Sequence, residues 1–361
     1  MKKEIYINAR FLTHKITGVE RYAIEISKKL KRLIPEINFI CPNRTLINKE
    51  LGKELEVYKF GNFKSHLWEQ VELPLYLRRK NTPLLINLIN TGPIFYKNQL
   101  VTIHDLAFLR YPENFNFIFK KYYSFVIPKI AKKSRHIITV SKFSKNEIEN
   151  LLYISGNKIS IVKNAPSNFF SKNYNNSYNK YKDHVLAVSS IDPRKNFDRI
   201  IEAFNEIVDD DIPLVIVGNK NKVFSQKQIP PKFLQNNNIH FTGYVTDQEL
   251  ASLYKNAKVF VYTSLYEGFG IPPLEAMASG CPVIVSDIPS LQETCKNAAY
   301  YVNPYDANEI RKGIEKIFYD DSLRNDLIQK GYQNILRFSW DYSAKKIINI
   351  IDKLNDTNYE N

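Results

Sequence analysis

Apolar positions follow two periods in turn along the chain: short β-branched runs give way to stretches that repeat every three or four residues. EIYIN (4–8) predicts a strand. GVERYAIEISKKLKRLIP (18–35) then sets Val19, Tyr22, Ala23, Ile26, Leu30 and Leu33 on one helical face until Pro35 ends it. Further strands are expected at INFIC (37–41), LLINL (84–88), LVTIH (100–104), HIITV (136–140) and ISIVK (159–163). Ser144 and Glu147 carry a capping-box signature for a helix that runs to about Leu152. The polar, unperiodic SNFFSKNYNNSYNKYKD (167–183) predicts an interdomain linker. The alternation then resumes with strands at 185–190, 213–218, 239–243, 259–264 and 282–287, a helix from about Asn196, and helices to about residue 355. This order predicts an α/β fold of two doubly wound, Rossmann-like domains facing across a cleft. The expected divisions are residues 1–166, the linker 167–183, residues 184–335 and a terminal helix in 336–361.

A length of 361 residues suits two domains, and 44% hydrophobic with 24% charged residues excludes wholesale disorder. Cys41, Cys281 and Cys295 lie too far apart in sequence for a disulfide framework or a zinc knuckle, which favours a reducing, cytoplasmic setting. No run reaches the ~18 apolar residues of a membrane span. Glu4, Asn8 and Arg10 interrupt any signal-like core, so neither export nor membrane insertion is expected. The net charge of +14 is unevenly spread: +18 over residues 1–183 and −4 over residues 184–361. A basic half joined to a mildly acidic one suggests an anionic surface as partner for the first, although Lys- and Asn-rich composition alone is an equal explanation.

Ligands of doubly wound sheets bind beyond the carboxyl ends of the strands, so the residues following each strand are the ones to inspect. YTSLYEGFGIPPLEAMASG (262–280) places Glu267, Gly268, Phe269, Gly270 and Ile271 between a strand and a helix that carries Glu275. Glycines there admit a ligand to the backbone, and a helix start attracts phosphate. The two flanking carboxylates accept hydrogen bonds from hydroxyls, which suits a sugar on either side of a diphosphate. In AVSSIDPRKNFDR (187–199), Arg194 and Lys195 supply a planar fork and a point charge after a strand. His104 and Asp105 end the strand of VTIHDLAFLRYP (101–112), and Gly18 opens the first helix.

With these motifs in hand, the sequence resembles glycosyltransferase family 4, the retaining enzymes of the GT-B fold. Glu267 and Glu275 stand at the family's E-x7-E spacing, PRKN (193–196) matches its Arg-Lys pair and HD (104–105) its amino-domain histidine. FTGYVTDQELASLYKNA (241–257) is similar to its base-side loop and helix, and FSWDYSAKK (338–346) to the terminal helix that returns to the first domain. GVERYAIEI, WEQVELP (68–74) and TIHDLAFLRYPENF (102–115) most resemble bacterial O-antigen mannosyl- and rhamnosyltransferases. Asn164-Ala165 replaces the family's Asn-Gly turn, and the loop near the start holds one glycine, Gly18.

The resemblance implies roles residue by residue. Arg194 and Lys195 would neutralise a leaving nucleoside diphosphate, helped by N–H groups from Gly268, Phe269, Gly270 and Ile271. Glu267 would hold donor-sugar hydroxyls, Glu275 the ribose and His104 the donor sugar near its reacting carbon. Gly243, Tyr244 and Val245 would face the base, and Gly18 would offer a second close approach. Retention of configuration is expected, without a cofactor. No Asp-x-Asp motif is present, and Arg with Lys can replace a cation, so metal independence is expected too.

The implied partners are a nucleotide-sugar donor and a polyprenyl-diphosphate-linked glycan acceptor. GDP-mannose leads among donors, with dTDP-rhamnose and UDP-sugars open. An anionic inner-membrane surface would meet Lys120, Lys121, Lys129, Lys132, Lys133, Arg135, Arg78, Arg79 and Lys80. Nucleic acid is not expected, because no aromatic–basic motif stands out. The rival readings are a nucleotide-sugar epimerase of the same fold and a non-catalytic basic membrane-binding protein.

Overall fold

A computed structural model describes residues 4–171, 180–207, 212–218 and 236–356. They form two compact units. The first holds the described residues of Met1–Leu106, Lys121–Asn164 and Ser339–Asn361; the second holds those of Ala107–Lys120 and Ala165–Phe338. The division is therefore not a single cut: residues 107–120, from the amino-terminal half, pack within the second unit. Of the expected linker, residues 172–179 lie outside the described residues.

The first unit is built on seven parallel strands: β1 (Ile5–Asn8), β2 (Asn38–Pro42), β3 (Tyr58–Phe60), β4 (Leu84–Asn87), β5 (Gln99–Thr102), β6 (His136–Thr139) and β7 (Ile159–Ile161). Their order is β3-β2-β1-β4-β5-β6-β7. β4 and β5 are buried at every position, as expected of parallel strands covered on both faces. The edge strand β3 has only three residues, two of them exposed, and so lacks the apolar run that betrays the others.

The second unit's sheet has six parallel strands: β8 (His184–Val188), β9 (Leu214–Val217), β10 (Ile239–Gly243), β11 (Ala257–Tyr262), β12 (Val283–Ser286) and β13 (Tyr300–Val302). Their order is β10-β9-β8-β11-β12-β13. Val185, Ile216, Val259 and Ile284 from four strands meet Ile201, Ile310 and Ile314 from covering helices in one core.

Two local expectations change. The helix Lys142–Leu152 is capped by Ser141, whose side chain accepts from the backbone N–H of Ser144. Ser144 is thus inside the first turn, and its hydroxyl turns away to the carbonyl of His104 at 2.9 Å. The helix Trp340–Asp356 packs on the helix Gly18–Leu33, with Trp340 edge-on to Tyr22 at 5.9 Å between ring centroids. Asp341 meets Lys29 at 2.8 Å and Arg32 at 2.7 Å. Such exposed pairs contribute little, about 0–1 kcal/mol; burial of Trp340, Ile347 and Ile351 is the larger force. Arg135 donates to the carbonyl of Leu354 on that helix and to Asn98. It is therefore a half-buried tether, not one of the expected surface cations.

Candidate active site

The second unit's strand order reverses between β8 and β11, the point where doubly wound sheets take ligands. Asp192 caps the single 3-10 turn Pro193–Lys195: its Oδ1 accepts from the backbone N–H of Arg194 at 3.1 Å and lies 3.4 Å from Arg194 Nε. Asn196 follows in the left-handed region at φ 61°. Its side chain does not cap the helix Phe197–Asn205 but donates to Thr263 O at 3.0 Å and Pro304 O at 2.7 Å. Leu265 N donates to Arg194 O at 2.8 Å, locking the loop after β8 to the loop after β11.

That lock sets a buried triangle. Lys195 Nζ stands 2.5 Å from Glu267 Oε1 and 3.1 Å from the Tyr262 hydroxyl, which donates to the same carboxylate oxygen at 2.7 Å. Burial alone would raise the Glu267 carboxyl, but the charges of Lys195 and Arg194 and two hydrogen bonds hold it below the usual range. Burial, and the Glu267 charge beside it, push the Tyr262 hydroxyl well up, so it stays a neutral donor. Arg194 is 7% exposed, with its guanidinium 5.3 Å from the Phe115 ring centroid. Phe115 belongs to the 107–120 segment, whose Tyr111 also donates to Leu265 O at 3.4 Å.

Gly270 precedes the helix Ile271–Ala278 at φ 96°, and a Cβ there would come within 2.5 Å of Leu291 Cδ2, so the turn requires glycine. Pro272 sits in the first turn, where its missing N–H costs no helical bond. Glu275 is buried further along the same helix. The Phe269 ring lies edge-on to Phe338 at 5.6 Å and its carbonyl accepts from Thr294 at 2.8 Å, so any donor contact it makes is through its backbone N–H. Gly243 ends β10 at φ 72°, accepting from Gly218 N at 3.0 Å, and Tyr244 beyond it is 72% exposed. A cavity of about 420 Å³ lined by Lys296, Gln329, Lys330 and Arg337 shares no residue with this cluster.

In the first unit, His104 is 5% exposed, with Nε2 3.0 Å from Leu88 O and its ring 4.8 Å from that of Tyr22. Since a carbonyl only accepts, Nε2 carries the proton and Nδ1 is the acceptor of the neutral ring. Burial, the largest influence, lowers its pKa and keeps it neutral. Gly18 is the exposed first residue of its helix, preceded by Thr17 in a capping box with Glu20.

A second polar cluster lies where this sheet's order reverses, between β1 and β4. Asn8 and Asn87, the last residues of those strands, are register partners joined at 3.0 Å. Glu69 Oε1 accepts from Asn8 at 2.9 Å, from Arg10 Nε at 3.2 Å and from Thr91 at 3.2 Å. Arg10 also donates to Thr91 at 2.8 Å and lies 3.2 Å from His14 Nε2. Arg10 and Glu69 are 2% and 0% exposed. Burial raises the Glu69 carboxyl, but Arg10, with His66 and Thr91, outweighs it and holds the group at about 2.

The amino-acid sequence matches two family models, Glycosyltransferase Family 4 over residues 16–165 and Glycosyl transferases group 1 over residues 171–334. It is 32% identical over 280 residues to the O-antigen chain mannosyltransferase RfbU of Salmonella typhimurium, covering 77% of this chain and 75% of that protein. The chain belongs to glycosyltransferase family 4. To O-antigen chain mannosyltransferase B of Escherichia coli it is 28% identical, over 94% of this chain and 96% of that one. The fold is GT-B: Anabaena HepE, solved in complex with UDP, superposes with a TM-score of 0.76 at 14% identity, over 97% of this chain and 100% of that one.

The family 4 glycosyltransferase thus brings Arg194, Lys195, Glu267 and the Gly270 turn together in its second unit, while Gly18 and His104 belong to the first. Tyr262 and Asp192 are functional candidates that motif reading passed over. Tyr262 is the last residue of β11 and reads as an ordinary strand aromatic, and Asp192 directly precedes PRKN. Arg10 drew notice only as a break in an apolar run, and Glu69 only as part of WEQVELP. Nothing in their spacing tells that they pair, because 59 positions separate them.

Proposed function

We propose that this glycosyltransferase moves a hexose from a nucleotide sugar to a lipid-linked glycan acceptor in the synthesis of an O-antigen or related surface polysaccharide, with mannose from GDP-mannose as the leading donor. The observation that carries the donor side is the buried Lys195–Glu267–Tyr262 triangle beside Arg194, at the switch point of a doubly wound sheet and next to a glycine-opened helix. The names of the relatives support the choice of mannose and of O-antigen.

In this reading Arg194 and Lys195 take the charge that grows on the departing diphosphate. They neutralise it without a metal ion, aided by N–H groups from Gly268 to Ile271. As Lys195 engages phosphate, Glu267 becomes available to donor-sugar hydroxyls, and Tyr262 keeps the carboxylate oriented. Glu275 takes the ribose, Gly243 to Val245 face the base, and His104 accepts a sugar hydroxyl at Nδ1. Attack from the face the diphosphate leaves would retain the anomeric configuration, with exclusion of water limiting hydrolysis.

The acceptor side is proposed to work at an anionic membrane surface. No helix of the described residues is long and apolar enough to cross a membrane. Leu67, Val71 and Leu75, spaced four apart, are 54%, 37% and 48% exposed, and the same helical stretch ends in the exposed Arg78, Arg79 and Lys80. Phe95 and Phe125, 67% and 57% exposed, lie under Lys133 and Lys129 at 4.7 and 3.3 Å from the ring centroids. Exposed apolar side chains beside cations suit a lipid interface, each cation contributing about 1 kcal/mol near anionic lipid.

The test is incubation with GDP-mannose, dTDP-rhamnose or a UDP-sugar and a polyprenyl-diphosphate-linked glycan. Acceptor extension from GDP-mannose with an axial linkage supports the reading. Conversion of the donor to an epimer without an acceptor would replace it with the epimerase.

A further inference from the structure

The helical stretch around WEQVELP contains a wide turn, Trp68–Glu72, set between the helices Ser65–Leu67 and Leu73–Arg79. Pro74 explains it: without an N–H it cannot bond the carbonyl four residues back, and Leu73 N–H reaches to Trp68 O, five back. The wide turn aims Glu69 inward at Arg10 and leaves His66, one turn earlier, at the rim, where its side chain is 31% exposed.

The hydrogen-bond roles around the Arg10–Glu69 pair can be assigned. Arginine only donates, so His14 Nε2 accepts from Arg10 and Nδ1–H donates to Glu20 Oε1 at 3.3 Å, which occupies both ring nitrogens. On the other side Glu69 is ionised and only accepts, so His66 Nδ1–H donates to Glu69 Oε2 at 3.4 Å. This leaves His66 Nε2, in the neutral ring, as an acceptor with no hydrogen-bond partner among the described residues. Its ring lies 4.3 Å from that of Tyr122 and edge-on to Tyr123 at 6.1 Å. Gln70 fixes the surroundings, donating to Gly92 O at 2.8 Å and to the Tyr122 hydroxyl at 3.4 Å, and accepting from Ile94 N at 3.0 Å.

An oriented acceptor nitrogen at a partly exposed rim, beside aromatic rings and above a saturated ion pair, suits a group that presents a hydroxyl on an apolar ring face. A pyranose is such a group. We propose that His66 Nε2 receives a hydroxyl of the glycosyl acceptor, so that His66, Tyr122 and Tyr123 form an acceptor-sugar subsite at the switch point of the first unit. This rests on the transferase reading and adds the residues that hold its second substrate. His66 is a positioning residue in this account, with Glu69 setting its tautomer.

Two substitutions separate this role from a structural one. His66→Asn keeps a donor toward Glu69 but removes the Nε2 position, and His66→Gln restores an acceptor near it. The partition between transfer to a lipid-linked or octyl glycoside acceptor and hydrolysis of the nucleotide sugar by water is measured for each. The expected result is a loss of roughly 10–100-fold in acceptor kcat/KM relative to hydrolysis for His66→Asn, on the order expected when a polar group loses its hydrogen-bond partner, with partial recovery in His66→Gln. A partition within twofold of the parent in His66→Asn would overturn the subsite. Saturation-transfer NMR with octyl α-mannoside, α-rhamnoside and β-N-acetylglucosaminide reads the same contact without a donor. Signal in the parent that is lost in His66→Asn supports the subsite even if the proposed donor chemistry fails, and no signal from any glycoside with the parent overturns it.

Discussion

Lys195 and Glu267 neutralise each other at 2.5 Å, and Tyr262 completes the contact by donating to the same carboxylate oxygen. The pair joins a residue from the loop after β8 to one from the loop after β11, so one contact spans the second unit's switch point. Removing either partner leaves a buried charge alone, which costs about 3–5 kcal/mol. Glu267→Gln is expected to lower stability within that range and to slow transfer by at least about 10²-fold. Chemical denaturation with a single-turnover assay checks both. The lowered carboxyl pKa gives the pH sign: this stabilisation is fully present above the ordinary value of 4.5 and is lost as pH falls through the lowered one. The acid limb of the denaturation midpoint should therefore be shallower in Glu267→Gln.

Glu69 offers a cleaner pH test, because its carboxyl sits at about 2 against an ordinary 4.5. The Arg10–Glu69 contribution is present above pH 4.5 and disappears between there and about pH 2. Arg10→Met should lower stability at neutral pH by about 3–5 kcal/mol, since the carboxylate stays buried without its partner. The difference between Arg10→Met and the parent should shrink as the pH is lowered through that window. A difference independent of pH would contradict the assignment.

Gly270→Ala places a methyl group 2.5 Å from Leu291 Cδ2 in a backbone region at φ 96° that side chains rarely adopt. A loss of about 1–3 kcal/mol is expected. Nucleotide affinity should fall with it, because the turn sets the first N–H groups of the helix Ile271–Ala278. Calorimetric titration with GDP and UDP measures that loss.

Ser141→Ala removes the side chain that accepts from Ser144 N–H and should cost about 1 kcal/mol. A thermal melt compares it with Ser144→Ala, which loses instead the 2.9 Å bond to the carbonyl of His104. Only the second should also alter activity, through the His104 backbone.

Most of the architecture was legible because parallel strands buried on both faces read as short apolar runs, as in LLIN (84–87) and VIVS (283–286). Two of the four edge strands, β3 and β13, escaped: β3 is largely exposed and β13 only three residues long. The capping residue was misplaced by one turn because Ser141 and Ser144 both fit the local pattern, and only the backbone path chooses between them. Arg194, Lys195 and Glu267 were legible as motifs, yet the ion pair that neutralises Lys195 was not, since 72 positions separate it from Glu267. The same holds for Arg10, just after β1, and for Glu69 and His66 on the helical stretch that covers it: such polar residues look solvated until sheet and helix close around them.

The most direct measurement is glycosyl transfer by a variant carrying Arg194→Ala and Lys195→Ala, with GDP-mannose and a polyprenyl-diphosphate-linked glycan. Circular dichroism and a melting curve monitor the fold alongside. If these two side chains carry the charge of the leaving diphosphate, transfer falls by about 10²–10³-fold or more while the variant remains folded. A folded variant that transfers at the parental rate would contradict the account.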